Sequence, residues 1–180
     1  MAEYIEQWMY DITAVNDLPY PTELDAPPCI ARGITGFGRT WRQIRPRPQP
    51  RDCCWYHGGS WQEAFGHAIE IIKIASGQTE NEIRVFSGET LKPISIPDPD
   101  EVEDLLEYRQ LSGWLSESVT SLLSTDEPIN IGGLAELKHG DLFYIGGRHR
   151  AMAMIQQGTR ATITMRLELF DPETGELIFD

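Results

Sequence analysis

The sequence predicts a mixed α/β domain. At 180 residues, 41% of them hydrophobic, the chain is long enough to bury a core of its own. From Pro93 onward, short stretches with the apolar period of a helix alternate with short β-branched stretches, the pattern of helices packed on a sheet. The first half adds one well-delimited helix, set among segments that proline and arginine make irregular.

Along the chain, "YIEQWMYDITAV" (residues 4–15) fits a strand or a short helix equally well. Between Leu18 and Cys54 lie most of the twelve prolines, each fixing φ and removing a donor, so a long irregular segment is expected. "GSWQEAFGHAIEIIKIASG" (59–77) then reads as a helix: Ser60 caps it, Glu63 stands three residues on as in a capping box, and Gly77 stops it. Ala64, Phe65, Ala68, Ile71, Ile72 and Ala75 recur at helical spacing and should face the core. "EIRVFSG" (82–88) suggests a strand, and "KPISIPDPD" (92–100) an extended lead into the next unit.

The second half follows regularly. "DPDEVEDLLEYRQ" (98–110) and "GWLSESVTSLLS" (113–124) are amphipathic helices, and "EPINIGG" (127–133) is a short strand. "GDLFYIGG" (140–147) is a strand ending in glycines, "RHRAMAMIQQG" (148–158) a helix closed by Gly158, and "RATITMRLELFD" (160–171) an alternating strand. "DPETGELIF" (171–179) reads as a turn and one more strand. On this organisation residues 1–92 form an N-terminal extension packed on a domain of residues 93–180.

Charge narrows the function classes. With 28 acidic and 15 basic residues the net charge is −13, which repels nucleic acid at long range and suits a basic protein partner. Six arginines between Arg32 and Arg51, with no acidic residue among them, are a local exception, and a nucleic-acid partner would have to use them. An odd cysteine count and a first segment without a basic or strongly apolar region point to a reducing, cytoplasmic setting. No window is apolar enough to span a bilayer, so no membrane partner is expected.

The candidate site is "YIGGRHRAMAM" (144–154). Strand, glycines, then helix is the geometry that turns backbone N–H groups and the positive end of a helix dipole toward an anion. Gly146 and Gly147 allow a tight turn and a close approach to a ligand. Arg148, His149 and Arg150 stand in the first turn, where cations are unfavourable unless an anion compensates them. The competing reading makes the glycines a plain turn and the arginines partners of the chain's many carboxylates.

The stretch from Glu101 to Leu169 resembles the ParB/sulfiredoxin superfamily, the ParB-like nuclease domain in particular. Pro128, Ile129 and Ile131 match that family's first strand, Gly147, His149, Arg150 and Ala153 its "G-x-H-R-x-x-A" motif, and Gly158 its helix stop. The resemblance implies a ParB/sulfiredoxin-like mixed sheet with short helices. It also implies that Gly146, Gly147, His149 and Arg150 line a phosphate site for a nucleotide of the CTP or ATP class, with Mg²⁺ as a possible companion. NTP hydrolysis, phosphotransfer or nuclease activity are the reactions it suggests. Sulfiredoxins carry a catalytic cysteine immediately before the His-Arg pair; Arg148 stands there, so sulfinic-acid repair is not expected. The residues after Phe170 are too few for the DNA-binding domain of ParB proper, so partition-complex function is not expected of them either.

Three other constellations carry weaker expectations. "GITGFGRTW" (33–41) meets neither a P-loop nor a dinucleotide fingerprint, but Arg39 or Arg42 is a candidate second anion contact. The acidic run from Asp98 to Glu107 reads mainly as a solvated helix face, with Glu101 as the candidate base or magnesium ligand if chemistry occurs. Cys53, Cys54, His57 and His67 lack a C-x-x-C pair, so buried thiols and an exposed histidine are expected there, not a metal site. The rival class is an acidic interaction factor, of inhibitor, immunity or nucleic-acid-mimic type, without catalysis.

Overall fold

A computed structural model describes residues 4–19, 21, 54–76, 94–95, 99–111, 113–133, 142–176 and 178. Arg39, Arg42 and the rest of the arginine-rich segment, Cys29, Cys53 and the strand expected at 82–88 lie outside the described residues.

The architecture is mixed α/β: five strands and four helices, with two 3-10 turns, among the described residues. The strands are β1 (Ile5–Ala14), β2 (Ile94–Ser95), β3 (Asn130–Gly133), β4 (Leu142–Gly146) and β5 (Ala161–Phe170). The helices are α1 (Trp61–Ser76), α2 (Pro99–Tyr108), α3 (Gly113–Leu123) and α4 (Arg148–Gln157). Sheet order is β2-β1-β5-β3-β4, with every pairing antiparallel except β3 with β5.

β1 resolves the ambiguity at the N-terminus in favour of a strand. It pairs with β5 residue by residue, from Ile5 opposite Phe170 to Ala14 opposite Ala161. A ladder of that length satisfies the backbone groups that the two segments turn toward each other, which local propensity alone could not decide. Tyr10 and Ile12 are buried on alternate positions, as a strand requires. The N-terminal segment therefore supplies an inner strand of the sheet and shares its core. The boundary suggested at 92/93 runs between two parts of one sheet.

β5 is covered on both faces where it begins: Ala161, Ile163 and Met165 are buried, and so are Thr162 and Thr164. Thr164 and Thr13 join their hydroxyls across the β1–β5 pair at 2.7 Å. α1 packs against α3, β5 and α4. Its expected core face holds: Ala64, Ala68, Ile71 and Ile72 are fully buried, and Phe65 packs against the same core. Trp61 is fully buried at its start. Side chains of this size, taken out of water, stabilise by roughly 1.5–3 kcal/mol each.

The cap expected at Ser60 and the stop expected at Gly158 form, while Gly77, the stop expected for α1, lies outside the described residues. Ser60 Oγ accepts the N–H of Glu63 at 3.2 Å, the capping bond of α1. Gly158 closes α4 in the left-handed region (φ 71°), where its N–H reaches Ile155 O at 3.2 Å and the next N–H, of Thr159, reaches Met154 O at 3.0 Å. After β5 the expected turn forms around Asp171, whose carboxylate accepts the N–H groups of Glu173 and Thr174. The strand expected beyond it is not assigned among the described residues, although the Ile178 N–H donates to Leu169 O at 2.7 Å.

Candidate functional site

The turn from β4 into α4 is built by two glycines pressed against the chain's own backbone. A Cβ on Gly146 would sit 2.8 Å from Pro128 O, and one on Gly147 2.7 Å from both Cα and Cγ1 of Ile129. Gly147 also adopts φ 77°, a region that penalises any side chain. The close approach that the sequence suggested is thus made to the entry of β3. It fixes where α4 starts relative to the sheet.

Gly147 is the N-cap of α4, and no side chain caps the helix. The turn opens on a cavity of about 570 Å³. Gly146, Gly147, Arg148 and His149 all line it, together with Asp126 and Glu127. Four of the five expected phosphate-site residues are therefore brought to one cavity. Its floor includes Tyr144, whose hydroxyl donates to Pro19 O at 2.7 Å and whose pKa burial pushes above the ordinary phenol value.

Arg150 goes elsewhere. It is buried, at 6% exposure, and its two terminal nitrogens donate to the carbonyl oxygens of Ser121 and Glu127. Burial lowers its pKa from the ordinary guanidinium value, opposed by the Glu127 carboxylate and the Tyr56 phenol. It lines a second cavity, of about 620 Å³, that also contains Trp55, Tyr56, Ser116 and Thr120. Asp126 and Glu127 line both cavities and so form the partition between them. In this arrangement Arg150 ties the end of α3 to the segment entering β3, and that segment in turn holds Gly147.

The aromatic residues of the 54–61 loop complete the surroundings. The Tyr56 ring stacks on His149, with centroids 5.5 Å apart and planes 18° from parallel. Trp55 is 39% exposed and donates its indole N–H to Glu117 at 2.6 Å. Trp61, by contrast, is wholly buried and donates to Tyr56 O at 2.8 Å. Gly58 and Gly59 lie flat against the Trp114 indole, where a Cβ on either would fall 2.4 Å from a ring carbon.

Of the two histidines in the stretch where an exposed one is expected, His57 is buried and His67 half-buried. His57 is 3% exposed, held by Gln156 Oε1 at 2.8 Å from Nε2 and by Cys54 Sγ at 3.2 Å from Nδ1. Cys54, expected to be a buried thiol, is half-buried. Spacing misses this because the anchor, Gln156, is remote in sequence. His67, in α1, lies 3.2 Å from the Arg109 guanidinium. Glu101 falls in α2, a helix that packs on α1, and its side chain lies outside the described residues.

Sequence reasoning missed Tyr56, Asp126 and Glu127. The acidic pair was visible as "TDEP" just ahead of the β3 strand, but nothing in spacing places Tyr56 over His149. No group of three or more His, Cys, Asp or Glu side chains is placed to hold a metal ion among the described residues, and no helix there is long and apolar enough to cross a membrane. Compared with protein-family models, curated proteins and solved structures, the chain matches none of them.

Proposed function

We propose that the protein binds a phosphate-bearing ligand of the nucleotide class at the turn from β4 into α4, as its resemblance to the ParB/sulfiredoxin superfamily implies. The observation that carries this reading is the start of α4. A left-handed glycine, not a side chain, caps a helix whose first residues, Arg148 and His149, line a cavity of about 570 Å³. The first turn of a helix favours an anion, and cations gathered at the same end are relieved by one. A cavity of this volume is within the range that holds small ligands, a few hundred to about 1,000 Å³.

Asp126 and Glu127 refine the ligand. A bare polyphosphate entering this cavity meets two carboxylates, whereas a magnesium-chelated nucleotide presents a cation to them. Mg²⁺ commonly binds through one or two carboxylates plus phosphate oxygens, so this pair suffices without a third protein ligand.

Calorimetry with CTP, ATP, ADP and GTP, with and without Mg²⁺, tests the reading on the wild type and on Arg148→Ala. At least one nucleotide should bind, more tightly with Mg²⁺, and Arg148→Ala should weaken it about tenfold or more. A wild type that binds none of the four overturns it. Hydrolysis, phosphotransfer or nuclease activity is read in the same series from phosphate release or strand cleavage, with Glu101→Gln as the variant that should abolish turnover.

A second reading rests on the net charge of −13: an acidic factor that engages a basic protein partner without catalysis. Stoichiometric, salt-sensitive capture of a basic protein, unaffected by Arg148→Ala and unaccompanied by nucleotide binding, would favour it.

A further inference from the structure

The far end of α4 carries a second constellation that the nucleotide reading does not use. Cys54 Sγ lies 3.2 Å from His57 Nδ1, and His57 Nε2 lies 2.8 Å from Gln156 Oε1. With the amide oxygen accepting the Nε2 proton, Nδ1 is left as the acceptor that faces the thiol. A thiol, an imidazole beside it and a third group that orients the imidazole is the arrangement by which proteins activate a sulfur nucleophile.

The surroundings hold this arrangement in place. His57 and Gln156 are 3% and 6% exposed, so neither ring nor amide is free to turn, whereas Cys54 is half-buried. The neighbouring Gln157 fastens the same loop to α4: its Nε2 donates to Gly59 O at 3.0 Å and its Oε1 accepts the Trp61 N–H at 3.1 Å. Among the described residues, the charged and titratable groups nearby include the Tyr56 phenol, which interacts with Cys54, and beyond it Arg150 and Glu127.

We propose that Cys54 is a nucleophile activated by His57 and positioned through Gln156, and that it accepts an acyl group from a small ester or thioester. The Sγ–H proton passes to His57 Nδ1 while the sulfur lone pair forms a bond to the carbonyl carbon. The bond from that carbon to the alcohol or thiol leaving group breaks, and the leaving group departs with the proton from His57. The product is a thioester on Cys54. Water attacking the same carbon, with His57 taking its proton and returning it to sulfur, releases the acid and restores the thiol.

Two measurements on the full chain, carrying Cys29→Ser and Cys53→Ser so that only one thiol remains, test this. The first is the rate of alkylation by iodoacetamide at neutral pH relative to glutathione. The second is the appearance of an acetyl adduct on the Cys54 peptide after exposure to p-nitrophenyl acetate. Cys54 should alkylate at least about tenfold faster than glutathione and should acquire the acetyl group. His57→Ala should remove both effects. Gln156→Met should reduce them, and Gln156→Glu, which keeps an acceptor oxygen toward Nε2, should restore them, a pattern that loss of packing alone does not produce. If His57→Ala does not fold, the single-thiol protein still decides the matter. Alkylation no faster than glutathione, or alkylation without acetyl transfer, overturns the proposal. Because these readouts need no nucleotide, their failure leaves the reading of the β4–α4 turn untouched.

Discussion

α1 and α4 enter the same core, yet they begin in opposite ways. α1 starts with Ser60, whose hydroxyl takes the Glu63 N–H, and places an acid in its first turn. Both features favour a helix N-terminus, and Gln157 Oε1 of α4 takes the Trp61 N–H as well. α4 starts with a left-handed glycine, no side-chain cap and two arginines and a histidine in its first turn. Of these, Arg150 turns into the fold and donates to the carbonyl oxygens of Ser121 and Glu127. The difference teaches that the cap is used for stability at one helix and withheld at the other. A cavity lies beside each start, of about 420 Å³ at Ser60 and Gln62 and of about 570 Å³ at Gly147 and Arg148, and only the second has arginine and histidine of the helix's own first turn in its lining.

Breaking the β4–α4 turn should have the largest effect. Gly147→Ala puts a Cβ 2.7 Å from the Ile129 Cα, a backbone atom that cannot step aside, at a φ of 77°. Strain and overpacking together should cost about 3 kcal/mol or more, read as a fall in the urea midpoint without a change in its slope. Gly66→Ala is the matching change in α1, where nothing lies within 4 Å. It should stabilise by about 0.5–1 kcal/mol through helix propensity alone. If both substitutions moved stability in the same direction, the claim that Gly147 is fixed by close packing would fail.

Next comes the cation that serves the fold. Arg150→Met keeps much of the apolar stem but strands the Ser121 and Glu127 carbonyls, so about 2–3 kcal/mol should be lost. Arg148→Met leaves both of those bonds in place and should lose less in the same assay. A comparable loss at both positions would mean that the two arginines share one structural role.

How much of this was legible in the sequence follows from where each interaction lies. The cap of α1 at Ser60 and the stop of α4 at Gly158 are local, and the chain announces them. Helical faces such as Ala64, Ala68, Ile71 and Ile72 are legible for the same reason. The β1–β5 ladder joins residues at opposite ends of the chain, and the segment it uses has no decisive period, so it was not legible as a strand. In the candidate site, the glycines and cations are contiguous and could be read together. That Arg150 turns inward depends on carbonyl oxygens from α3 and from the segment before β3, which no spacing records. The burial of His57 was not legible for the same cause, since its partner Gln156 comes from another element.

A smaller effect separates the two helix starts directly. Ser60→Ala removes the acceptor for the Glu63 N–H and should cost about 1 kcal/mol, as side-chain caps elsewhere do. Ser60→Asp keeps an acceptor and adds a favourable charge, so it should recover the loss. If Ser60→Ala were neutral by urea denaturation, α1 would be no more dependent on its cap than α4, and the contrast between them would rest on the glycine turn alone.

The smallest effect concerns the charges along α1. Glu70 accepts from Lys73 at 2.8 Å, with Arg109 at 3.7 Å on its other oxygen, and the Lys73 hydrogen bond holds its carboxyl below the ordinary carboxylate range. A folded-state pKa below the unfolded one adds stability that is fully present above the unfolded value and is lost as pH falls through the folded value. The Glu70 side chain is 45% exposed, so solvent screens the pair and the contribution should be only a few tenths of a kcal/mol. Many other carboxylates titrate in the same window, so the informative quantity is a difference. Between about pH 5 and pH 3 the wild type should lose slightly more stability than Glu70→Gln, and added salt should shrink the gap. Parallel stability curves for the two proteins across that range would show that the α1 pair is merely a surface contact, leaving the Ser60 cap as the polar feature that distinguishes its start from that of α4.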